Sequence, residues 1–192
     1  ATNHPARPDY LGQAGNLIAC MTGLRLSEIQ GLQHRDIDFQ NRAIVIRRSW
    51  NNRLLCLNTE TKSGKERTVF FSGIVEKVLH RLIDMNPYGQ GGECFVFFGG
   101  TAEAPKDPRG FSDSLFYAME LIGIHEAERK SRGISFHSHR HFLNSLLVNS
   151  KIPLHKIQAL VGHSDNKMTE RYYHADDMQD VLQITDNIFQ IN

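Results

Sequence analysis

The sequence predicts an α+β domain, mainly α-helical with a small antiparallel β-sheet, and three observations carry that reading. Apolar residues recur three or four positions apart in several separate stretches, which is the period of a helix with one buried face. Short β-branched and apolar runs are confined to residues 43 to 71. No apolar run approaches the roughly 18 residues of a membrane span. The 192 residues are 40% hydrophobic, enough for one sizeable core in a chain somewhat longer than the roughly 150 residues of an average domain.

Ala1 to Pro8 carries two prolines and no periodicity, and reads as a linker remnant spanning residues 1–9. Tyr10, Leu11, Ala14, Leu17, Ile18 and Met21 predict a helix, with Gly23 as its stop. Ser27, with Gln30 three residues on, predicts a capping box for a second short helix. Arg25 then lies in the turn between the two helices, and Glu28 in the first turn of the second, where it favours the helix dipole and can steady the arginine. Strands are predicted at Ala43 to Ile46, Leu54 to Leu57 and Thr68 to Phe71, with Lys62-Ser63-Gly64-Lys65 as the tip between the last two. Ile74, Val75, Val78, Leu79, Leu82 and Ile83 form the stripe of a helix that ends before Asn86-Pro87. Loops at Gly89 to Gly92 and Gly99 to Pro108 flank a brief strand from Cys94 to Phe98. A helix is expected at Ser112 to Ile122, another behind Arg140 through Phe142, Leu143, Leu146 and Leu147, and another through Leu154, Ile157, Leu160 and Val161.

The net charge of +1 conceals an asymmetry. Arg42, Arg47, Arg48, Arg53, Lys62, Lys65 and Arg67 stand against only Glu60 and Glu66, whereas residues 176 to 192 hold four aspartates and no Lys or Arg. That pattern suggests a basic face toward phosphates and an acidic tail turned away from them. Cys20, Cys56 and Cys94, an odd number at irregular spacing, read as reduced and mostly buried. With no signal-peptide pattern, the chain reads as cytoplasmic and nucleoid-associated.

Six residues supply what phosphodiester cleavage needs: Arg25, Lys62, His137, Arg140, His163 and Tyr172. A tyrosine hydroxyl, with an ordinary pKa of about 10, attacks phosphorus only with a base or strong positive charge beside it. Guanidinium groups provide that charge and match phosphate oxygens with paired N–H donors. Imidazoles can share the proton and hydrogen-bond a phosphorane, and a lysine of flexible reach can protonate the departing oxygen.

Four blocks place those residues in a recognisable order: T-G-L-R-L-S-E at 22 to 28, T-K-S-G-K-E-R-T-V at 61 to 69, F-H-S-H-R-H at 136 to 141, and L-V-G-H-S at 160 to 164 followed by T-E-R-Y-Y-H at 169 to 174. On these the chain resembles the catalytic domain of tyrosine recombinases, the phage integrase family, whose H-x-x-R and histidine-to-tyrosine spacing of nine are both reproduced. The resemblance implies that Arg25 and Arg140 clamp the scissile phosphate, His137 and His163 support charge and proton movement, Lys62 is the general acid and Tyr172 the nucleophile. Lys65 is a second candidate, as a phosphate contact. Tyr173 competes with Tyr172, but neighbouring helical positions differ by about 100 degrees, and the spacing from His163 favours Tyr172. His137, His139 and His141 alternate, yet on a helix they would diverge, and no carboxylate or cysteine pair completes a zinc set.

The expectation is therefore site-specific cleavage and rejoining of double-stranded DNA through a 3′-phosphotyrosyl bond, with neither cofactor nor metal implied. Type IB topoisomerase-like relaxation and a non-catalytic DNA-binding regulator are the alternatives. The expected organisation is a catalytic domain over residues 10–176 and a helical tail over residues 177–192, with the family's N-terminal core-binding domain absent. Val181, Ile184, Ile188 and Ile191 give the tail an apolar face, which the resemblance implies is exchanged between protomers of a homo-oligomer, a tetramer, on DNA; the alternative is a tail helix folded onto its own domain.

Overall fold

The computed structural model describes residues 9–58, 66–154, 156–157, 183 and 187. Lys62, Lys65, His163, Tyr172, Tyr173, the Leu160 and Val161 end of the helix expected from Leu154, and most of the tail lie outside these residues; Gln183 and Asn187 are helical and exposed.

Helix α1 (Tyr10–Thr22) runs through the middle of the domain. Its N-terminus is capped by the Asp9 carboxylate, which accepts the Gly12 N–H at 2.8 Å, and its C-terminus closes with Gly23 in the left-handed region at φ 69°. Gly15 is required by packing, because a Cβ there would run into the Phe111 ring. Helix α2 (Leu26–Gly31) follows at once. A 3-10 turn (His34–Asp36) leads into β1 (Ile37–Asp38), β2 (Ala43–Ile46), β3 (Ser49–Asn51), β4 (Cys56–Asn58) and β5 (Arg67–Phe70). These make two antiparallel sheets, one ordered β1-β2-β5 and one pairing β3 with β4. Helices α3 (Gly73–Asp84), α4 (Pro108–Leu121), α5 (Glu126–Ser131) and α6 (Ser138–Asn149) complete the described elements. Chain order and helical content match the predicted α+β class.

The core forms where α1, the β2-β5 ladder and α3 meet, around Ile18, Ile29, Ile44, Val69, Leu79 and Leu82, all buried. A second part is aromatic: Phe97, Phe111 and Phe136 meet edge to face at centroid distances of 5.4 and 5.9 Å, the favoured geometry for ring quadrupoles. Phe136 is buried and directly precedes His137, so this cluster anchors the entry to α6.

Several local expectations are corrected. The second helix starts at Leu26, with Arg25 as its N-cap and Ser27 inside it, because the Glu28 carboxylate accepts the Arg25 backbone N–H at 2.8 Å and moves the start upstream of the Ser27 box. Leu54 and Leu55 belong to a turn and are exposed, with strand β4 beginning only at Cys56; Leu55 sits at φ 51°. Cys94 to Phe98 forms no strand and pairs only through isolated bridges, Gln33 with Phe95 and Phe98 with Pro105. Helix α4 starts at Pro108, four residues before Ser112, since Asp107 caps it and proline suits the first helical position. Helix α5 buries none of its residues, so it has no apolar stripe to predict it; its i,i+4 pairs Glu126–Lys130 and Glu128–Arg132 provide local support. The cysteines are free, but Cys56 is exposed and Cys20 and Cys94 are half-buried. Burial pushes the Cys20 thiol up to about 11, so it stays protonated.

Candidate active site where α1, α2, β5 and α6 meet

The basic stretch divides in the folded chain. Arg48, mostly covered, pairs with the buried Asp36, and Arg67, mostly covered, pairs with the buried Glu28, so two of its arginines serve interior carboxylates. Arg42 pairs with Glu76 at 3.0 Å and Arg47 with Glu66 at 3.5 Å at the surface, and Arg53 is exposed. The expected basic face is therefore thinner than the sequence count suggests.

Glu28, 4% exposed, is the hub of the candidate site. Its Oε1 accepts Arg25 Nη1 at 2.9 Å and Arg67 Nη1 at 2.7 Å; its Oε2 accepts the Arg25 backbone N–H at 2.8 Å and Arg67 Nη2 at 2.7 Å. Four donors thus occupy the roughly four acceptor sites of one carboxylate. Burial alone would raise the Glu28 pKa, but the hydrogen bonds and charge of Arg67, with smaller contributions from Arg25, outweigh it and hold the carboxyl below its ordinary value. The charge on Glu28 is therefore permanent at neutral pH.

Arg140 enters from the first turn of α6, 4% exposed, and its Nη1 donates to the Gly23 carbonyl at 2.9 Å. That carbonyl belongs to the C-terminal end of α1, where the helix dipole favours a cation. Nη2 of Arg140 is buried and has no hydrogen-bond partner among the described residues. Burial, then the like charges of Arg25 and Arg67, lower the Arg140 pKa to about 10, with Glu28 partly opposing them. The guanidinium still carries its proton at pH 7. An orphaned buried donor costs about 1–3 kcal/mol. An oxygen-bearing anion between Arg140 and Arg25 would satisfy the donor and relieve the repulsion.

His137, the residue before α6, lies within electrostatic range of both arginines. Partial desolvation, then His141, Arg140 and Arg25, lower its pKa, so its imidazole is neutral at pH 7 and can accept a proton. Its ring meets that of His141 edge to face at 4.8 Å. His139 diverges from both, as its helical position requires: its Nε2 lies 2.7 Å from Asn16 Oδ1 in α1. The Asn16 amide nitrogen already donates to the carbonyls of Gly12 and Phe111, both at 2.8 Å, so Oδ1 can only accept and the imidazole carries its proton on Nε2. Among the described residues no three His, Cys, Asp or Glu side chains gather as metal ligands. No described helix is long and apolar enough to cross a membrane.

Burial lowers the His139 pKa to about 4, against about 6.5 in an unfolded chain. The neutral form is favoured by folding, so its contribution is complete above pH 6.5 and is lost as pH falls toward 4. Its full size is on the order of 3 kcal/mol. His34 and His137 shift in the same direction, so the comparison has to be with a variant. His139→Gln keeps an amide donor and cannot titrate; its melting temperature should fall less than that of the wild type between pH 6.5 and 4. Parallel profiles would show that His139 is not the titrating group.

Of the six predicted site residues, Arg25, His137 and Arg140 are described and converge; Lys62, His163 and Tyr172 lie outside the described residues. Glu28 was legible as a partner of Arg25. Arg67 was not singled out, although its place at the end of T-K-S-G-K-E-R, two residues before the buried Val69 and so on the same face of the strand, was the available signal.

The model of the phage integrase family matches residues 10–179, and the chain belongs to that family. Among individual proteins it is 26% identical over 170 residues to the integrase of Staphylococcus phage L54a, covering 81% of this chain and 45% of that one. It is 29% identical over 155 residues to the tyrosine recombinase XerA of Saccharolobus solfataricus, covering 80% and 42%. The chain thus spans about half the length of the curated relatives it matches. Among solved structures it shares the fold of the integrase from mycobacterium phage Brujita, with TM-score 0.64, 18% identity, and 97% and 55% of the two chains covered. It also superposes on the Tn1549 transposon integrase in complex with circular intermediate DNA, with TM-score 0.63, 25% identity, and 88% and 59% covered.

Proposed function

We propose that this chain performs site-specific DNA recombination by strand cleavage and rejoining. Tyr172 Oη attacks the scissile phosphorus, its proton passes to a neighbouring base, a 3′-phosphotyrosyl bond forms, and the P–O5′ bond breaks as Lys62 protonates the departing 5′-oxygen. The reverse attack by a 5′-hydroxyl of another strand restores the phosphodiester. Arg25 and Arg140 hold the non-bridging oxygens, while His137 and His163 carry charge and proton movement. The observation that carries this reading is the pairing of Arg25 with a buried Arg140 whose Nη2 is unpartnered among the described residues, beside a neutral His137. Family membership and the likeness to an integrase bound to circular intermediate DNA support it.

The test uses duplexes nicked beside the cleavage point, so that the 5′-hydroxyl fragment diffuses away and the covalent complex accumulates. Protein–DNA adducts are expected, and strand exchange between two differently labelled duplexes. Relaxation of supercoiled DNA without exchange, or binding without adducts, would overturn the proposal.

The assembly proposed is a homo-oligomer on DNA, a tetramer, linked by the tail of residues 177–192 docking in trans. Exchange of such an element between protomers has a low cost, because the contacts made are the same as those broken. Replacing Ile184 and Ile188 by Asp should weaken multimers on DNA and leave the monomer folded. An unfolded monomer with unchanged assembly would place the tail in cis instead.

A further inference from the structure

Arg67 is in contact with the candidate clamp without being part of it. Its side chain is 14% exposed, both of its Nη groups bond Glu28, and its Nε is buried without a partner among the described residues. Its hydrogen-bonded hold on the site thus passes through the Glu28 carboxylate, beside the direct effect of its charge on Arg140. Arg25 shares that carboxylate very unevenly: the Arg25 side chain, 38% exposed, gives it one Nη1 contact, and the second Arg25 contact comes from the backbone N–H. A carboxylate and a guanidinium left to themselves prefer two parallel bonds. Glu28 makes that arrangement with Arg67, on β5, and not with its nearer sequence neighbour Arg25.

We propose that Arg67 is a positioning residue for the cleavage reaction: by occupying Glu28 with both of its Nη groups, it confines Arg25 to a single side-chain contact and leaves the rest of that guanidinium available to a phosphate. This inference rests on the recombinase reading above. Glu28 is then a tether, tight enough to orient Arg25 through one Nη1 bond and the helix-capping N–H, and loose enough to release its fork. Removing Arg67 frees one acceptor site on each Glu28 oxygen at once. Arg25, already bonded to Oε1 through Nη1, can then close its fork onto the carboxylate and turn away from the substrate. The charge requirement alone would be met by Lys at position 67, but an ammonium is a point donor and cannot fill both oxygens as a fork does.

The experiment measures the rate of covalent attachment to nicked duplex at saturating DNA for the wild type, Arg67→Lys, Arg67→Gln, Glu28→Gln and the Arg67→Gln/Glu28→Gln double variant, with a melting temperature for each. Arg67→Gln should attach up to about a hundredfold more slowly, the scale of a misplaced catalytic group, and Arg67→Lys should fall between it and the wild type. The decisive result is suppression: the double variant should attach about tenfold faster than Arg67→Gln, since the competitor for Arg25 is gone, a gain within the usual range of coupling between contacting residues. A merely structural Arg67 gives a double variant no faster than Arg67→Gln, which would overturn the proposal. A second readout needs neither DNA nor chemistry. Rotation about the Arg25 Cζ–Nε bond, followed by guanidinium NMR, should slow in Arg67→Gln or Arg67→Lys, and unchanged rotation would also overturn it. Should the wild type form no adduct at all, the recombinase reading fails, while the rotation of Arg25 still decides the role of Arg67.

Discussion

Tyr172→Phe is expected to abolish covalent attachment to DNA while leaving DNA affinity nearly unchanged. The substitution removes one oxygen and retains the ring, so packing and phosphate contacts made by other residues persist. The attacking atom is gone, and no neighbouring group can replace it without a second nucleophile in line with the leaving oxygen. The loss should resemble in scale the roughly 10⁶-fold drop that follows removal of a catalytic nucleophile elsewhere. The measurement is adduct formation on nicked duplex together with a filter-binding isotherm. Tyr173 is the internal control: adducts in Tyr172→Phe and none in Tyr173→Phe would transfer the nucleophile to Tyr173. Both tyrosines lie outside the described residues, so this assignment rests on the nine-residue interval from His163 within the family pattern.

Arg140→Lys should lower the attachment rate by about 10²–10³-fold, the effect of losing one preorganised donor to a developing oxyanion. The charge is kept, but a lysine cannot donate simultaneously to the Gly23 carbonyl and, from a second fixed nitrogen, to a phosphate oxygen. The Arg140 Nη1 bond locks the guanidinium against the end of α1 so that Nη2 stays in place, a donor without a partner among the described residues. Stability should suffer modestly, since burying an ammonium costs more than burying the weakly hydrated guanidinium. A melting scan therefore accompanies the kinetics. Near-normal attachment by a folded Arg140→Lys would remove Arg140 from the clamp.

Most of the helices were legible because each buries a stripe with the helical period. Gly23 after Met21 and Asn86-Pro87 after Ile83 mark ends that local backbone preference sets, and α1 and α3 stop where these signals stand. Legibility failed where local and tertiary preferences diverge. Leu54 and Leu55 have strand-like neighbours yet occupy an exposed turn, while Ser49–Asn51, a strand, carries only Trp50 as an apolar signal. Helix α5 buries no residue and meets α4 through Arg129 stacked 3.6 Å over the Phe116 ring, so it has no apolar stripe to read.

The site divides in the same way. The order of Arg25, Lys62, H-S-H-R and the histidine–tyrosine interval is a property of the chain, and by itself it determined the family and the residues proposed for chemistry, as apolar periodicity determined the α+β class. Residue order does not carry distances between side chains. Only the tertiary structure decided that Arg67 grips Glu28 with both Nη groups while Arg25 contributes a single side-chain contact, that His139 finds Asn16 as its acceptor, and that Arg140 buries an N–H without a partner among the described residues beside the end of α1. Each of these joins residues from 39 to 123 positions apart, or sets one against such a partner. Their energies come from burial and from which donor reaches a shared acceptor first, and those quantities exist only once the core around α1 has closed.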